Sequence, residues 1–183
     1  MLRAPVQRKP RPWRAGFTLI ETLVAISILM TAVAGPLTIA QRSLSTARGM
    51  RNQVTAMYLA QDAAEFVRSA RDENLIKGSE MLSGIEGSCK NRKCTVDSSK
   101  QSSQFSNCPG ANPGVCPPLL FDGAKGLYNY DTGVVSPFLR EVQILNPFGG
   151  EGDEALLIVT VSWTEGTIPK NITVRESLFE WRD

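Results

Sequence analysis

The chain has 183 residues, of which 42% are hydrophobic and 21% charged, enough for one globular domain with an appendage and too apolar for a wholly disordered chain. Its formal charge of +2 divides unevenly: residues 1–16 carry five of the 20 basic side chains and no acid, which leaves 15 basic against 18 acidic side chains in residues 17–183. Direct nucleic-acid binding, which needs clustered cations on the folded part, is therefore not expected, and the absence of histidine removes the commonest general base.

Residues 17–40 form an apolar segment directly after the basic residues 1–16. The segment is 24 residues long and its only charged side chain is Glu21, so as a helix it would cross a hydrocarbon core of about 30 Å. Because cations flank its N-terminal side, we expect a single pass through the cytoplasmic (inner) membrane with the N-terminus in the cytoplasm. The remainder of the chain would then lie outside the cytoplasm.

Three other interpretations of this segment compete with a cleaved, functional membrane helix. Ala32-Val33-Ala34 is an A-x-A element that a secretory signal peptidase would cut before Gly35, and an uncleaved signal anchor would explain the length and the flanking charges. Both leave Glu21 without a purpose, although an acid inside an apolar run costs up to roughly 3 kcal/mol near the bilayer centre. The third interpretation, a buried helix of a soluble domain, conflicts with the length and with the lack of a polar face.

The position of Glu21 relative to the Gly16–Phe17 bond gives the acid a purpose. Cleavage after Gly16 would give Phe17 a free amino group and make Glu21 the fifth residue of the product, one helical turn away on the same face. A positive N-terminus and a carboxylate that are each costly in lipid become tolerable when they pair, within one subunit or between neighbours.

Residues 14–21 read Arg-Ala-Gly-Phe-Thr-Leu-Ile-Glu, and with the apolar run that follows they resemble the prepilin processing motif of type IV pilins and type II secretion pseudopilins. This resemblance implies that a prepilin peptidase/methyltransferase cleaves between Gly16 and Phe17 and methylates Phe17. It also implies that Glu21 docks a new subunit against other pilin subunits, and that an inner-membrane assembly platform and the membrane lipid are partners. The leader of sixteen residues is longer than the shortest in the family.

Residues 41–77 continue the helix as an amphipathic segment, which we expect to stop at Gly78. Its apolar stripe is predicted to pack on the chain's own domain, with subunit contacts as the alternative. The stripe comprises Leu44, Ala47, Met50 or Arg51, Val54, Met57 or Tyr58, Ala63 or Ala64, Val67 and Ala70. Gly35 and Pro36 are candidates for a helix hinge, since proline removes a backbone hydrogen bond; an ordinary kink remains the alternative. Residues 59–74 also resemble the corresponding helix of minor-pilin-like prepilins.

Residues 78–136 are rich in Ser, Gly, Asn and Pro and contain all four cysteines, so we expect a loop region. The spacing of Cys89, Cys94, Cys108 and Cys116 does not fit a zinc site, and no histidine completes one. An even number of cysteines outside the cytoplasm favours two disulfides, and of the three possible pairings loop length favours Cys89 with Cys94 and Cys108 with Cys116. No metal and no cofactor is predicted.

Residues 137–183 contain three β-rich runs at 138–145, 155–163 and 172–179, separated by Gly-rich turns. The simplest arrangement is an antiparallel meander packed on the helix, with a further short strand near 127–130. The fold class is therefore α+β, as the pilin resemblance also implies. The acidic turn with Glu151, Asp153 and Glu154 is better read as a solvated turn than as a calcium site, because EF-hand spacing is not evident.

The sequence shows no nucleophile–base pair, phosphate-binding loop or paired catalytic carboxylates, so no catalytic residue is predicted. The expected function is structural: a subunit, and from the second resemblance a minor one, of an extracytoplasmic type IV pilus-like filament. A type II secretion pseudopilin and a membrane-anchored binding or adhesion domain that never polymerises are the alternatives.

Overall fold

The structure is a computed structural model that describes residues 16–100, 104–145 and 154–180. The chain divides into two compact units, Met1–Ala47 and Arg48–Asp183. Helix α1 spans Leu19–Ile76 and contributes residues to both. The described residues of the first unit are all solvent-exposed, whereas the second unit has a buried core.

Helix α1 ends as the sequence predicts, at a glycine in the left-handed region. Gly78 has φ +69°, and its amide donates to the carbonyl oxygen of Leu75 at 3.0 Å. The amide of Ser79 donates to the carbonyl oxygen of Asn74 at 2.9 Å. This pair of bonds satisfies carbonyls that the end of a helix would leave free, and glycine adopts the required φ without strain.

The second unit continues with a short helix and seven strands in its described part. Helix α2 is Glu86–Cys89. The strands are β1 Lys93–Val96, β2 Phe105–Asn107, β3 Pro118–Asp122, β4 Leu127–Asn129, β5 Val134–Leu145, β6 Glu154–Glu165 and β7 Ile168–Phe179. All paired strands are antiparallel, with β5 central: it pairs with β6 on one side and with β1 and β3 on the other.

The predicted meander is present as β5, β6 and β7, each twelve residues long. The inward residues of β6 alternate along Leu157, Val159 and Val161, as the period of two requires. The α+β class is thus confirmed. The short strand predicted near 127–130 also forms, as β4, but it pairs with β3. Residues 78–136, predicted as a loop region, contain α2 and β1 to β4 as well as loops.

The part of α1 in the second unit buries a face of small side chains. The buried residues are Ala56, Leu59, Ala60, Ala63, Ala64 and Val67, and they join the inward side chains of the sheet in one core. Alanine on this face allows the helix backbone to approach the sheet closely, and the burial of apolar area stabilises the contact. Ionic contacts flank it: Arg68 donates from Nε and Nη2 to the two carboxylate oxygens of Glu176 at 2.9 and 2.7 Å.

The predicted apolar stripe was wrong over one stretch. Met50, Val54, Met57 and Tyr58 are exposed, on the side of the helix roughly opposite the buried alanines. Both faces of this stretch carry apolar residues. The period in the sequence therefore placed residues 50–58 of the outer face and residues 63–70 of the inner face in one predicted stripe. In the structure the two faces differ: the inner face, built largely from alanine, is buried, and the outer face is exposed.

Candidate functional site

The predicted cleavage site lies in exposed, non-helical chain just before α1. Gly16 and Phe17 are outside the helix, and the Phe17 side chain is 81% exposed. A Cβ built on Gly16 would have no neighbour within 4 Å. A peptidase needs an accessible bond outside regular secondary structure, and the Gly16–Phe17 bond is of that kind. Arg14 and the rest of the leader lie outside the described residues.

Thr18 caps the N-terminus of α1, a role that the sequence analysis missed. Its Oγ1 accepts a hydrogen bond from the backbone amide of Glu21 at 3.3 Å, and its carbonyl oxygen accepts from the amide of Thr22 at 3.2 Å. Thr18 and Glu21 have the T-x-x-E spacing of a capping box, which was the signal that could have found this cap. Glu21 therefore lies in the first turn, where the helix dipole favours a negative charge.

The apolar part of α1 satisfies its hydroxyl groups within the helix. Thr22 Oγ1 donates to the carbonyl oxygen of Leu19 at 2.8 Å, and Ser27 Oγ donates to that of Val24 at 2.8 Å. Thr31 makes similar bonds. Such local bonds allow hydroxyls in a hydrocarbon environment, where unpaired polar groups are costly. By length and composition α1 is able to cross a membrane.

Gly35 and Pro36 lie inside an uninterrupted α1. Proline has no N–H, so the helix lacks the bond that residue 36 would donate to the carbonyl oxygen of Ala32. Thr38 Oγ1 donates to the carbonyl oxygen of Gly35 at 2.7 Å, which adds a side-chain bond at the same turn. The hinge stays a prediction.

The four cysteines form two adjacent disulfides in the second unit. Cys89 is bonded to Cys94 and Cys108 to Cys116, the pairing that loop length favours, and all four are buried. The Sγ atom of Cys116 lies 3.8 Å from the carbonyl oxygen of Cys94, so the two bridges touch. They join α2 to β1 and close the chain between β2 and β3. Disulfides of this kind persist in oxidising compartments.

A buried arginine on β5 joins three elements of the second unit. Arg140 donates from Nη1 to the carbonyl oxygen of Leu59 at 3.0 Å and to Oδ2 of Asp62 at 2.8 Å, and from Nη2 to the carbonyl oxygen of Val96 at 2.5 Å. Arg140 was not among the functional residues expected from the sequence. The available signal was its position in the inward register of β5, between Phe138 and Val142.

A polar cavity of about 210 Å³ beside β1 and β2 is lined in part by Asp97, Lys100 and Tyr130. The carboxylate of Asp97 accepts bonds from the amides of Ser99 and Tyr130, each at 3.1 Å. Lys100 Nζ lies 3.0 Å from Oδ1 of Asp131. Burial raises the pKa of the Tyr130 hydroxyl, which donates to the carbonyl oxygen of Arg140 at 3.3 Å. The titratable groups of this cavity therefore serve structural bonds.

The predicted acidic turn falls mostly outside the described residues: Glu151 and Asp153 are not among them, and Glu154 begins β6. Across residues 16–100, 104–145 and 154–180, no group of three or more His, Cys, Asp or Glu side chains is arranged to hold a metal ion.

Comparison with known families matches residues 14–35 to the prokaryotic N-terminal methylation motif. Comparison with curated proteins and with solved structures finds no match for the chain. An apolar helix long enough to cross a membrane starts just after the exposed Gly-Phe bond, and together with the motif it suggests membrane anchoring. The methylation motif in the same place supports a type IV pilin-like prepilin.

Proposed function

We propose that the chain is a minor subunit of a type IV pilus-like filament, cut after Gly16 and N-methylated on Phe17. The observation that carries this proposal is the match of residues 14–35 to the methylation motif, which includes the cleavage site and Glu21. The motif implies processing by a prepilin peptidase and assembly with other pilins.

Glu21 supplies the chemistry of assembly in this proposal. Before cleavage, the nitrogen of Phe17 is an uncharged amide; cleavage turns it into an amine one helical turn from Glu21. A carboxylate in an apolar environment is stabilised only by a close positive partner. The amine of the same subunit or of a neighbour provides that partner, so a subunit enters the filament only after its leader has been removed.

An apolar face on α1 in the second unit supports packing against neighbouring subunits. Met50, Val54 and Tyr58 recur every four residues, Met57 lies three residues after Val54, and all four are exposed. We name these four residues the outer stripe. Exposed apolar side chains at helical spacing fit a helix–helix contact, because packing removes their surface from water.

The exported location of the second unit is supported by charge and by redox chemistry. Five cations precede the apolar segment, which favours a cytoplasmic N-terminus. The two disulfides fit an oxidising compartment on the opposite side. We infer an inner-membrane precursor that leaves the bilayer through an assembly platform, with Gly35 and Pro36 as a hinge that unwinds as subunits pack.

A structural role, without enzymatic activity, is favoured because the charged groups of the polar cavity are engaged in bonds within the fold. A minor subunit is preferred to a major one because of the resemblance of residues 59–74 and the disulfide-bonded segment. A pseudopilin would share the same processing and the same chemistry at Glu21.

Mass spectrometry of the mature N-terminus in the host tests the proposal. We expect the mature chain to begin with N-methyl-Phe17. A mature chain that begins at Gly35 would show ordinary secretion, and a chain that still begins at Met1 in a cell with an active prepilin peptidase would show a passive anchor. Either result would overturn the filament proposal.

A further inference from the structure

Exposed apolar and cationic side chains meet at the end of the second unit that begins with Arg48. We name this surface the basal rim and define it as Arg51, Leu127, Val134, Val135 and Ile168. All five are exposed, and Val134 is the most exposed apolar member at 76%. Apolar side chains grouped at one end of a folded unit indicate an interaction surface more strongly than the same side chains scattered singly.

Two sets of contacts within the second unit place the rim beside the first residues of that unit's part of α1. In the first, a Cβ built on Gly49 would meet the carboxylate of Glu165, and Glu165 pairs in register with Ile168 at the turn between β6 and β7. Ile168 therefore lies at the same end of the unit as Gly49.

The second set of contacts involves two aromatic rings. The charge of Arg51 acts on the Tyr128 hydroxyl, and the Tyr128 ring lies 5.0 Å from that of Phe121, centroid to centroid. Phe121 pairs in register with Val134, and Leu127 pairs with Asp122 on the neighbouring strand. The turns before β4, before β5 and before β7 thus lie at one end, beside Arg51.

The charges at this end have both signs, and the cations slightly outnumber the acids: Asp131 in the turn before β5 is exposed, with its Oδ1 3.0 Å from Nζ of Lys100. Arg48, Arg51 and Lys170 are exposed, and Lys125 lies in the turn before β4 with its Nζ 3.8 Å from Oδ2 of Asp122. Glu165 is a half-buried acid of the same end. Exposed apolar side chains with cations beside them suit the interface of an anionic bilayer. There the apolar groups enter the acyl region and the cations meet the head groups.

We propose that the basal rim docks on the surface of an anionic lipid bilayer while the subunit is anchored in the membrane. The proposal rests on the proposed membrane anchoring of residues 17–40. Residues 41–47 would span at most about 25 Å even when fully extended, so the tether keeps Arg48 near the lipid head groups. Docking would hold the unit in one orientation before assembly, when the surface is not yet covered by other subunits.

Hydrogen–deuterium exchange of the full chain in vesicles tests this docking. The chain is reconstituted in vesicles of phosphatidylethanolamine with phosphatidylglycerol and, separately, in vesicles of phosphatidylcholine. We expect slower exchange of the turns at 123–126, 131–133 and 166–167 on the anionic vesicles, because docking excludes water from them. Exchange at 109–115, in the disulfide-bonded segment, should be the same on both.

Substitutions test whether the protection depends on the rim residues or on a general change in the fold. V134D together with V135D should abolish the protection. R51E should reduce it at least about tenfold, since it removes one cation and adds one anion at an anionic surface, where each charge contributes about 1 kcal/mol. V115D, which alters an equally exposed valine outside the rim, is the matched control and should leave the protection intact. Unchanged exchange in β6 shows that each variant is folded.

The same data distinguish a failure of membrane anchoring from a failure of rim docking. Free exchange along residues 19–40 would mean that the chain does not insert, and the membrane anchoring itself would fail. Protection of 19–40 without protection of the rim would overturn the docking proposal alone. Protection that is equal on both lipids, or that appears only when chains associate with one another, would also overturn it in favour of a contact between copies.

Discussion

Asp62 on α1 accepts a hydrogen bond from the guanidinium of Arg140 on β5, with 2.8 Å between Nη1 and Oδ2. The two side chains differ in environment: that of Arg140 is 1% exposed and that of Asp62 is 48% exposed. Arg140 therefore carries a buried charge whose neutralising partner reaches solvent. Arg140 also donates to the carbonyl oxygens of Leu59 and Val96, so its side chain links α1, β1 and β5.

Removing the carboxylate should destabilise the second unit strongly. D62A leaves the buried charge of Arg140 without its partner, and we expect a loss of about 3 kcal/mol in the free energy of unfolding. Urea denaturation of the detergent-solubilised chain, followed by near-ultraviolet circular dichroism, measures this loss. E73A is the control, because Glu73 pairs with Lys77 at the surface, where both side chains are more than 60% exposed, and should contribute less than about 1 kcal/mol.

A double substitution shows whether the charge is the cause. Adding R140M to D62A removes the unpaired charge and keeps the side-chain volume, so the double variant should be more stable than D62A alone. If R140M instead adds its own loss in full, the two residues act independently and the interpretation of Arg140 as a paired buried charge is wrong.

The large elements of this fold could be predicted from the sequence because each has its own period. Helix α1 ends at the predicted Gly78, and the alternation along β5 to β7 predicted the meander. Strands β1 and β2 could not be found in this way, since three or four residues in a Ser- and Gly-rich stretch show no period. Strand pairing determines their conformation: β1 pairs with β5, which lies far along the chain, and β2 pairs with β1.

The processing motif was predictable because its chemistry is local. The proposed roles of Gly16, Phe17 and Glu21 involve only a few neighbouring residues, and all three lie in the matched region 14–35. Arg140 was missed for the opposite reason: its partners Leu59 and Asp62 lie about 80 residues away, and a charged residue within an alternating strand is most simply read as outward-facing. The outer stripe was assigned to the wrong side because apolar residues occupy both faces of that stretch.

E21A should separate processing from assembly. In the proposed function the peptidase acts on the bond between Gly16 and Phe17, so cleavage and methylation should persist. Loss of the carboxylate should reduce filaments to an undetectable level, because the new amine then has no partner in the apolar environment. Mass spectrometry of the N-terminus and electron microscopy of sheared filaments provide the two measurements. E73A, at an exposed helical acid paired with Lys77, is the control and should assemble normally. Normal filaments from E21A would contradict the assigned role of Glu21.

A charge in the outer stripe should impair assembly without unfolding the subunit. Val54 is 53% exposed in the isolated chain, and V54E would place a carboxylate in a helix–helix contact where its desolvation is costly. We expect filament yield to fall at least about tenfold, the effect of a penalty of roughly 1.4 kcal/mol per contact. V115E, at a valine that is 73% exposed, controls for the added charge and should assemble normally. Equal yields from the two variants would exclude the outer stripe from the filament contact.

Two glycines of the second unit should respond oppositely to alanine. Gly133 has φ +122°, and a Cβ there would meet the backbone of Phe121 and Asp122, so G133A should cost more than about 2 kcal/mol. A Cβ on Gly49 would meet only the carboxylate of Glu165, which can rotate away, while alanine favours the helix by roughly 0.5–1 kcal/mol. G49A should therefore be neutral or stabilising in urea denaturation. Equal destabilisation by both would show that Glu165 is held rigidly.

The hydroxyl of Tyr130 should make the second unit less stable at alkaline pH. Burial raises its pKa above the ordinary value, so the folded state favours the protonated phenol. The contribution is complete below about pH 10, where the unfolded chain also holds the proton, and it is lost as the pH rises from there through the folded-state pKa. The free energy of unfolding should fall over this window.

Y130F isolates this effect from other alkaline titrations. At neutral pH the variant loses the hydrogen bond to the carbonyl oxygen of Arg140, at a cost of about 1 kcal/mol. Above about pH 10 the wild-type protein loses the contribution of the protonated phenol and the variant does not, so the gap between their unfolding free energies should narrow. Y58F, at an exposed tyrosine of the outer stripe, is the control and should change stability by less than about 0.5 kcal/mol at either pH. A gap for Y130F that stays constant from neutral to alkaline pH would mean that the phenol ionises equally well in the folded and unfolded chains.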